Sequence, residues 1–435
     1  MNNQIFHKDF QARPFWWDAY TPGMPALNDV PKSARVAIIG AGYTGLATAL
    51  ELNRHGLDCV ILDADHPGFG ASTRNGGMVS GGVTVGKRYS GTSSQDELKA
   101  LYADAADSFT LIENIIAEEN IDCEWRKTGR VAMAWTPSHY RAMEKKIASL
   151  NAHSYAGASM ISRERQREVI GSDYYYGGML ADRSAHLHPA KYFQGLMNAC
   201  ARRTGITICA KAPVNKLTRV GKSWHVETAR GTVEAGDVVI ATNGYTGDLT
   251  PQLKRRLIPL GSFIIATEEM PQDLADTILP TDRSAYDTRR VLTYYRMSGD
   301  RRRFIFGGRA KFGMHSPEST APILYQQMLD RFPQLKGVKI THAWTGNVAF
   351  TFDEIPHMGE MEGMHYALGC NGSGVAMMTY LGTETAKKIA GKSNHRIAFD
   401  TDFPTMPLYD GSPWFVPFLG RYLRTRDWLD RTFVR

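Results

Sequence analysis

Two glycine-rich signatures follow one another between residues 34 and 86, and they constrain the fold more than any other feature of the sequence. In the first, an apolar run typical of a buried strand leads into Gly40, Gly42 and Gly45 at the spacing GxGxxG, and a helical apolar pattern follows. Glycines at this spacing allow a sharp turn, a close approach of backbone amides to a pyrophosphate, and tight packing of the helix on the strand. A helix N-terminus also favours an anion, so the signature predicts a dinucleotide site.

An acidic residue completes this unit. Gly56 ends the predicted helix, Cys59 to Leu62 form a second strand, and Asp63 stands eighteen residues after Gly45. An acid at this place accepts hydrogen bonds from ribose hydroxyls and repels a 2′-phosphate, which disfavours NADP. A glycine turn that serves only strand and helix packing is the alternative, and the register of strand, helix, strand and acid weighs against it.

The second signature, residues 70–82, favours a flavin. Ser72 and Asn75 offer donors and acceptors for a ribityl chain and pyrophosphate, while Gly76 and Gly77 let the main chain lie against a flat ring. A glycine-rich surface loop is the alternative interpretation of the same residues.

Composition limits the classes of function. A content of 22% charged and 43% hydrophobic residues is typical of a globular protein. The length of 435 residues predicts two domains. The net charge of +7 forms no basic tract, so nucleic acid is not expected as a partner. The five cysteines form no CxxC pair, which indicates reduced thiols, a cytoplasmic protein and no metal site. No run approaches 18 apolar residues, and the N-terminus lacks a signal-peptide pattern, so no membrane span is expected.

The periodicity changes along the chain. From residue 257 to 352 it falls to two, which predicts strands of an antiparallel sheet, and a glycine loop between a strand and a helix returns after His365. The predicted class is α/β, α+β overall, with a Rossmann-like domain interrupted by a substrate domain on a mixed or antiparallel sheet with helices. The expected division is an N-terminal arm (1–30), an FAD-binding domain (31–90, 185–247 and 355–395), a substrate domain (91–184 and 248–354) and a C-terminal tail (396–435).

These residues resemble the family of glycine, sarcosine and D-amino-acid oxidases, which are FAD flavoproteins with a substrate domain inserted into a dinucleotide fold. The likeness runs from about residue 31 to near the end of the chain, and two of its motifs, FPQLKGVKI and WTGN, are similar to the amine-oxidising branch. The motifs are GAGYTGL at 40–46, GFGASTRNGG at 68–77, HLHP at 186–189, YYR at 294–296, FPQLKGVKI at 332–340, WTGN at 344–347 and VPF at 416–418.

The resemblance implies a set of FAD contacts in this chain. They fall on Gly40, Gly42, Thr44, Gly45, Asp63, Ala64, Ser72, Asn75, Gly76, Gly77, Met78, Val214, Asn243, Gly372, Ser373, Gly374 and Val375.

Three departures from the family pattern are informative. Ser373 stands where relatives carry a histidine, so a hydroxyl without positive charge would meet the pyrimidine edge of the ring. Ala376 stands where sarcosine oxidases keep a lysine for the substrate carboxylate, so an α-amino acid loses one anchor. Val348 stands where those enzymes attach flavin through cysteine, so the resemblance implies noncovalent FAD.

The reaction that follows from the resemblance is oxidation of a primary or secondary amine. Hydride passes to flavin N5, the imine is hydrolysed to an aldehyde and an amine or ammonia, and O2 is reduced to H2O2. A dehydrogenase or demethylase of an N-substituted amino acid, passing electrons to another carrier, is the alternative. A flavin-binding protein without turnover and an NAD dehydrogenase also stay open, as do the substrate and the oligomeric state.

Four residues are candidates for the catalytic pocket, and one of them, Ser373, is also an expected FAD contact. Tyr294 and Trp344 would form its walls, Ser373 would meet the flavin, and Arg309 would pair with a substrate anion. Alternation along a strand puts Tyr294 and Tyr295 on opposite faces, so at most one faces the flavin. Packing inside the sheet is the alternative role of these aromatic residues.

Overall fold

The chain builds two large sheets from strands that alternate between them along the sequence. The structure, a computed structural model, describes residues 3–23, 28–81, 94–313, 315–393 and 395–433. Gly82, the last residue of the second glycine signature, and the expected boundary at residue 90 lie outside this part of the chain.

The strands and helices of the described residues are numbered in chain order. The strands are β1 (Phe6–Gln11), β2 (Ser33–Ile39), β3 (Cys59–Leu62), β4 (Met78–Ser80), β5 (Arg130–Met133), β6 (Ala158–Ile161), β7 (Gly178–Ala181), β8 (Ser184–His186), β9 (Ile206–Cys209), β10 (Val214–Val220), β11 (Ser223–Thr228), β12 (Gly231–Ile240), β13 (Ile258–Thr267), β14 (Ser284–Asp287), β15 (Thr293–Met297), β16 (Phe304–Gly308), β17 (Ile340–Phe350), β18 (His357–Met361) and β19 (Met364–Leu368). The helices are α1 (Tyr43–Arg54), α2 (Gln95–Glu118), α3 (Pro137–Glu144), α4 (Ile147–Ser154), α5 (Pro189–Ala201), α6 (Pro251–Lys254), α7 (Gln272–Ile278), α8 (Pro317–Arg331), α9 (Gly374–Ile389) and α10 (Val416–Phe433).

The first sheet, which we call the nucleotide sheet, is parallel at its centre. Its strands β9, β3, β2 and β12 pair in that order, and β19 adds to β12 in parallel. The ends of β2 and β3 are continuous apolar runs because they are covered on both faces. Helices α1 and α9 pack tightly, since a Cβ on Gly382 would lie 2.4 Å from the carbonyl oxygen of Thr44. The predicted Rossmann-like fold is confirmed.

The second sheet, which we call the wide sheet, carries nine strands in the described part of the chain. Their order is β1, β17, β13, β16, β15, β14, β5, β7 and β6. Most neighbours are antiparallel, but β1 with β17 and β14 with β5 are parallel, so the sheet is mixed. One face packs on α8 through Tyr295, Phe306 and Leu324, and the other face carries Tyr294. The two adjacent tyrosines therefore lie on opposite faces, as the alternation predicts.

Three segments differ from the expected organisation. The N-terminal arm is part of the wide sheet through β1, and Trp16 is fully buried. The C-terminal tail contains α10, a helix of 18 residues. Helix α2 was expected in the substrate domain, but its apolar face, including Phe109 and Ile112, packs in the core of the nucleotide-sheet region. The division into domains stays a proposal, and this packing favours placing α2 with the nucleotide sheet.

Candidate active site

A cavity of about 1190 Å³ is lined by both sheets. On one side it begins at the carboxyl ends of β2, β3 and β12, where ligands of open parallel sheets bind. On the other side it is lined by the wide sheet through Ser262, Tyr294 and Phe350. Its volume exceeds the roughly 300–1,000 Å³ of pockets for drug-sized ligands, which leaves room for a dinucleotide and a second small molecule.

The glycine turn before α1 opens onto this cavity. Gly42 is the N-cap residue of α1. Because glycine has no side chain, it makes no side-chain hydrogen bond to the first turn of the helix. A Cβ on Gly42 would lie 3.1 Å from Ser72 Oγ, which accepts a hydrogen bond from the backbone N–H of Tyr43. Gly40 has φ of +106°, a conformation that L side chains rarely adopt. The turn thus leaves space for a ligand at the positive end of a helix.

Asp63 holds the end of β3 against this turn. Its Oδ2 accepts from Ala41 N at 2.8 Å and its Oδ1 accepts from Asp65 N at 2.9 Å. Burial raises the pKa of Asp63, and these two backbone N–H groups oppose the rise. Each carboxylate oxygen has more than one acceptor site, so the residue can still accept a hydrogen bond from a sugar hydroxyl.

The second glycine signature forms a short 3-10 helix at residues 71–73, the loop that follows it, and β4. Asn75 stabilises this loop, because its Oδ1 accepts from Gly77 N at 2.8 Å and its Nδ2 donates to Ser72 O at 3.0 Å. Gly76 faces the wide sheet, where its Cβ would lie 3.1 Å from the Tyr294 ring. The loop therefore connects the nucleotide sheet to the wide sheet at the cavity.

A second helix N-terminus opens onto the same cavity. Ser373 precedes α9, and no side-chain hydrogen bond caps that helix. Asn243 ties this late glycine loop to the end of β12, since its Oδ1 accepts from Gly369 N at 3.0 Å and Cys370 N at 3.4 Å. Two helices thus direct their positive ends toward one ligand space.

Most of the expected FAD contacts line the cavity. The lining residues among them are Gly40, Gly42, Thr44, Asp63, Ala64, Ser72, Asn75, Gly76, Met78, Val214, Asn243, Gly372, Ser373, Gly374 and Val375. Gly45 and Gly77 do not line it. A Cβ on Gly45 would lie 2.0 Å from Gly40 O, and one on Gly77 would lie 2.1 Å from Leu187 O, so both glycines allow close backbone packing.

Two of the candidate pocket residues lie on the wide-sheet wall. The Tyr294 hydroxyl and Ser262 Oγ are 2.9 Å apart, and burial raises the pKa of Tyr294 to about 12. The phenol is therefore protonated at neutral pH. Arg309 also lines the cavity, with its guanidinium 4.3 Å from the centre of the Phe350 ring.

Trp344 does not form a wall of the cavity, contrary to expectation. It is 1% exposed, packs edge-on against Trp16, and donates its indole N–H to Arg74 O at 2.7 Å. The N-terminal arm covers this part of the sheet, which the periodicity of the strand could not indicate.

The cavity has lining residues that sequence reasoning missed. Arg130 comes from β5 and Glu354 from the turn after β17. Four more belong to α10 and the residues before it: Trp414, Phe415, Leu419 and Leu423. The one signal for Arg130 is an arginine beginning the otherwise apolar run RVAMAW, because such a residue in a buried strand requires a partner.

The two histidines of the HLHP motif have structural positions outside the cavity lining. His186 Nε2 lies 3.3 Å from Asp282 Oδ2, and His188 Nδ1 accepts from Lys191 N at the start of α5. Over the described ranges, no group of three or more His, Cys, Asp or Glu side chains is arranged to hold a metal ion. Nor is any helix of the described chain long and apolar enough to cross a membrane.

Comparison with known proteins identifies relatives over most of the chain. It is 32% identical over 399 residues to the probable oxidoreductase OrdL of Haemophilus influenzae, covering 89% of this chain and 90% of that protein. It is 31% identical over 401 residues to the gamma-glutamylputrescine oxidoreductase of Escherichia coli, covering 90% and 92% of the two chains.

Solved structures share the fold at lower identity. Glycine oxidase from Geobacillus kaustophilus superposes with a TM-score of 0.70 at 18% identity, covering 87% of this chain and 99% of that one. L-proline dehydrogenase from P. horikoshii superposes with the same TM-score of 0.70, covering 91% and 99%. The family model described as FAD dependent oxidoreductase (DAO) matches residues 35–388. The chain therefore belongs to the DAO family of FAD-dependent oxidoreductases.

Proposed function

We propose that the protein is an amine oxidase that binds FAD noncovalently and oxidises the C–N bond of a primary or secondary amine. The observation that carries the proposal is the shared cavity, in which two helix N-termini, neither capped by the side chain of its own N-cap residue, face an apolar and aromatic wall of the wide sheet. FAD, when bound, supplies the acceptor for the two electrons taken from the amine.

The residues at the nucleotide end fit FAD. Gly42 has no Cβ, and the space this leaves suits a pyrophosphate. The backbone N–H groups at the start of α1 favour the negative charge of the pyrophosphate. Asp63 keeps acceptor capacity for a ribose hydroxyl. Ser72, Asn75 and the late loop at Gly372 and Ser373 would enclose the rest of the cofactor. Val348 lines the cavity at the position where sarcosine oxidases carry the attachment cysteine, which supports noncovalent binding.

The wide-sheet wall favours the neutral form of an amine. A free alkylamine has a pKa of about 10.4, like lysine, and an apolar surrounding lowers that value because it disfavours the charge. Ile264, Phe350 and Phe415 contribute such surface to the cavity. No dedicated base is required in this proposal, because the apolar surrounding already favours loss of the proton from the amine.

Tyr294 orients the substrate in this proposal. Its protonated hydroxyl, already next to Ser262, can donate a hydrogen bond to a substrate oxygen or accept one from an amine N–H. Glu354 supplies a carboxylate on the cavity wall that attracts a cationic amine before it loses its proton.

The substrate proposed is an amine with a distal acidic group. The E. coli relative is named for oxidation of gamma-glutamylputrescine, and Ala376 replaces the lysine that anchors an α-carboxylate in sarcosine oxidases. O2 is the proposed acceptor. The second candidate is a dehydrogenase that passes electrons to another carrier, and it is favoured by Ser373, which lacks the charge of the family histidine beside the flavin.

A panel of amines tests the proposal. Purified yellow protein is mixed anaerobically with gamma-glutamylputrescine, N-methylated amino acids and ω-amino acids, and flavin bleaching is followed. Bleaching by an amine and stoichiometric peroxide after admission of air are expected. Bleaching without peroxide, together with rapid reduction of an artificial acceptor, would establish the dehydrogenase instead. Absence of bleaching by every amine would refute both.

Acid precipitation tests the mode of FAD attachment. The yellow colour is expected in the supernatant because no covalent bond holds the flavin. Colour retained in the washed pellet would contradict the proposal, and Cys370, which lines the cavity, would be the first residue to replace.

The five cysteines support a cytoplasmic location. All are buried and none forms a disulfide bond within the described chain. Thiols in this state are typical of a reducing compartment.

A further inference from the structure

A buried arginine lies on the cavity wall two strands away from the candidate catalytic residue Tyr294 in the wide sheet. Arg130 is the first residue of β5 and is 8% exposed, yet it lines the cavity. Its guanidinium lies 4.2 Å from the centre of the Tyr286 ring, which lines the same wall. The residue is therefore sheltered from bulk water but accessible from the ligand space.

Arg130 has no counter-charge among the described residues. Its Nε has no hydrogen-bond partner there, and its guanidinium forms no ion pair with any described carboxylate. Other arginines of this region are paired: Arg331 bonds Asp287 at 3.1 Å, and Arg290, also on the cavity wall, bonds Asp427 at 3.4 Å.

An unpaired buried charge opposes folding. Burial of a cation without an anion loses the hydration of its charge, and the Tyr286 ring offsets only part of this loss. Burial correspondingly lowers the pKa of Arg130, although a guanidinium stays charged at neutral pH. A residue of this kind, facing a ligand cavity, is explained by an anion that arrives with the ligand.

The register of the wide sheet gives the separation between this charge and Tyr294. Ala132 on β5 pairs with Tyr286 on β14, which pairs with Tyr294 on β15. Arg130 is two residues from Ala132 on the same strand, so its side chain shares their face. Two strand spacings and two residues along a strand separate the Cα atoms of Arg130 and Tyr294 by on the order of 10 Å. Because Arg130 and Tyr294 come from strands two apart on one face, an anion bound by the guanidinium and an amine oriented by Tyr294 suit the two ends of an extended substrate.

We propose that Arg130 and the Tyr286 ring form a subsite that binds a carboxylate at the end of the substrate opposite the oxidised amine. The geometry supports the anion subsite by itself, and the identification of its ligand as an amine substrate rests on the proposed function. The planar guanidinium can bind both oxygens of the carboxylate, while the alkyl chain between the two ends lies along the apolar wall.

Binding of a carboxylate without an amine tests the subsite directly. Hexanoate and hexanamide have the same shape but differ in charge, and each is titrated into the FAD-loaded protein by isothermal titration calorimetry. Hexanoate is expected to bind about 10- to 100-fold more tightly, as for a hydrogen bond to a charged group. Arg130→Met should remove this preference, and Arg130→Lys, which keeps the charge without the planar fork, should retain part of it.

Arg165→Gln is the matched control, because Arg165 is an exposed arginine paired with Glu168 away from the cavity. It should leave both affinities unchanged. The subsite is refuted if wild-type protein binds the two ligands equally, or if Arg130→Met binds hexanoate as tightly as wild type. Should Arg130→Met fail to fold, Arg130→Lys decides: hexanoate affinity unchanged from wild type would also refute the subsite.

Kinetics and stability separate ligand binding from a structural role. With a carboxylated amine, Arg130→Met should raise KM about 10- to 100-fold and leave kcat nearly unchanged, whereas an uncharged amine should show neither effect. Its thermal unfolding midpoint should not fall, since an apolar residue replaces an unpaired buried charge. Arg130-dependent hexanoate binding without amine oxidation would refute the proposed function alone, and amine oxidation with unaltered hexanoate binding would refute the subsite alone.

Discussion

The nucleotide sheet and the wide sheet line one cavity by different means. At the nucleotide end, glycine backbone and two helix N-termini form the surface of the cavity. Gly42, which has no Cβ, leaves this surface open to a ligand. At the wide-sheet end, side chains such as Tyr294 and Arg309 form it. A site built from backbone tolerates almost no substitution at its glycines, whereas a site built from side chains can change its ligand by single replacements.

The two regions also differ in how they treat charge. The nucleotide end attracts an anion with N–H groups that need no buried ion. The wide sheet instead buries whole charges. Some are paired, like Asp287 with Arg331, whereas Arg130 forms no ion pair with a described carboxylate. Since an unpaired buried charge costs folding free energy, specificity in this region is expected to reduce stability.

The largest effect is expected from Gly45→Val at the nucleotide end. A Cβ there would lie 2.0 Å from Gly40 O, so α1 must shift away from the turn. FAD affinity should fall about 100-fold or more, and the protein should be purified colourless. The measurement is the flavin-to-protein absorbance ratio. Gly23→Ala, whose nearest atom would be 4.0 Å away, is the control, and a yellow Gly45→Val protein would contradict the backbone account.

Gly307→Ala should affect the wide sheet without removing the flavin. Its Cβ would lie 2.4 Å from the Tyr294 ring and would displace that ring. We expect normal FAD content but a 10- to 100-fold lower kcat/KM, because misplacement of an orienting group by about 1 Å has this effect. Gly308→Ala points its Cβ to the opposite face, toward Thr293 and Leu324, and should change kcat/KM less than threefold. Loss of FAD from Gly307→Ala would show that the regions are not separable.

The stability of the fold should fall in acid because of two buried histidines, His186 and His188. Burial, and then Arg296, lower the pKa of His186, and burial lowers the pKa of His188 to about 4, with Glu124 opposing. A histidine with a depressed folded pKa stabilises the fold above its unfolded pKa of about 6.5, and this contribution is lost as pH falls toward the folded pKa. The free energy of unfolding, from urea titrations, should therefore decline from pH 6.5 to 4.

Salt provides the control for this acid effect. Raising the ionic strength to about 1 M screens exposed charges but leaves buried groups little affected, so the decline should persist. His188→Gln should make the decline shallower. A pH profile that high salt flattens completely would assign the effect to surface charges instead.

The smallest effect is expected from Trp414→Ala near the start of α10. Trp414 lines the cavity but is 65% exposed, so its loss should raise KM only about two- to fivefold and leave kcat unchanged. Trp428→Ala, an exposed tryptophan of α10 that does not line this cavity, is the matched control. A large fall in kcat would show that Trp414 does more than border the site.

Local patterns were sufficient for the nucleotide end. The GxGxxG turn, its helix and Asp63 lie within 24 residues, so their spacing alone predicts how they meet. The strand period predicted opposite faces for Tyr294 and Tyr295 in the same way. It failed for Trp344, because the covering residue Trp16 comes from a distant arm whose path no local period describes.

The amino-acid sequence by itself determined the dinucleotide turn, the class of fold and the faces of the strands, since each depends on neighbours within one or two elements. Only the tertiary structure decided which side chains share the cavity, because β5, β15, β16 and α10 are separated by long stretches of chain and meet through sheet order. That order is set by packing over the whole molecule, and it placed an arginine expected nowhere near the site, Arg130, on the same wall as Tyr294.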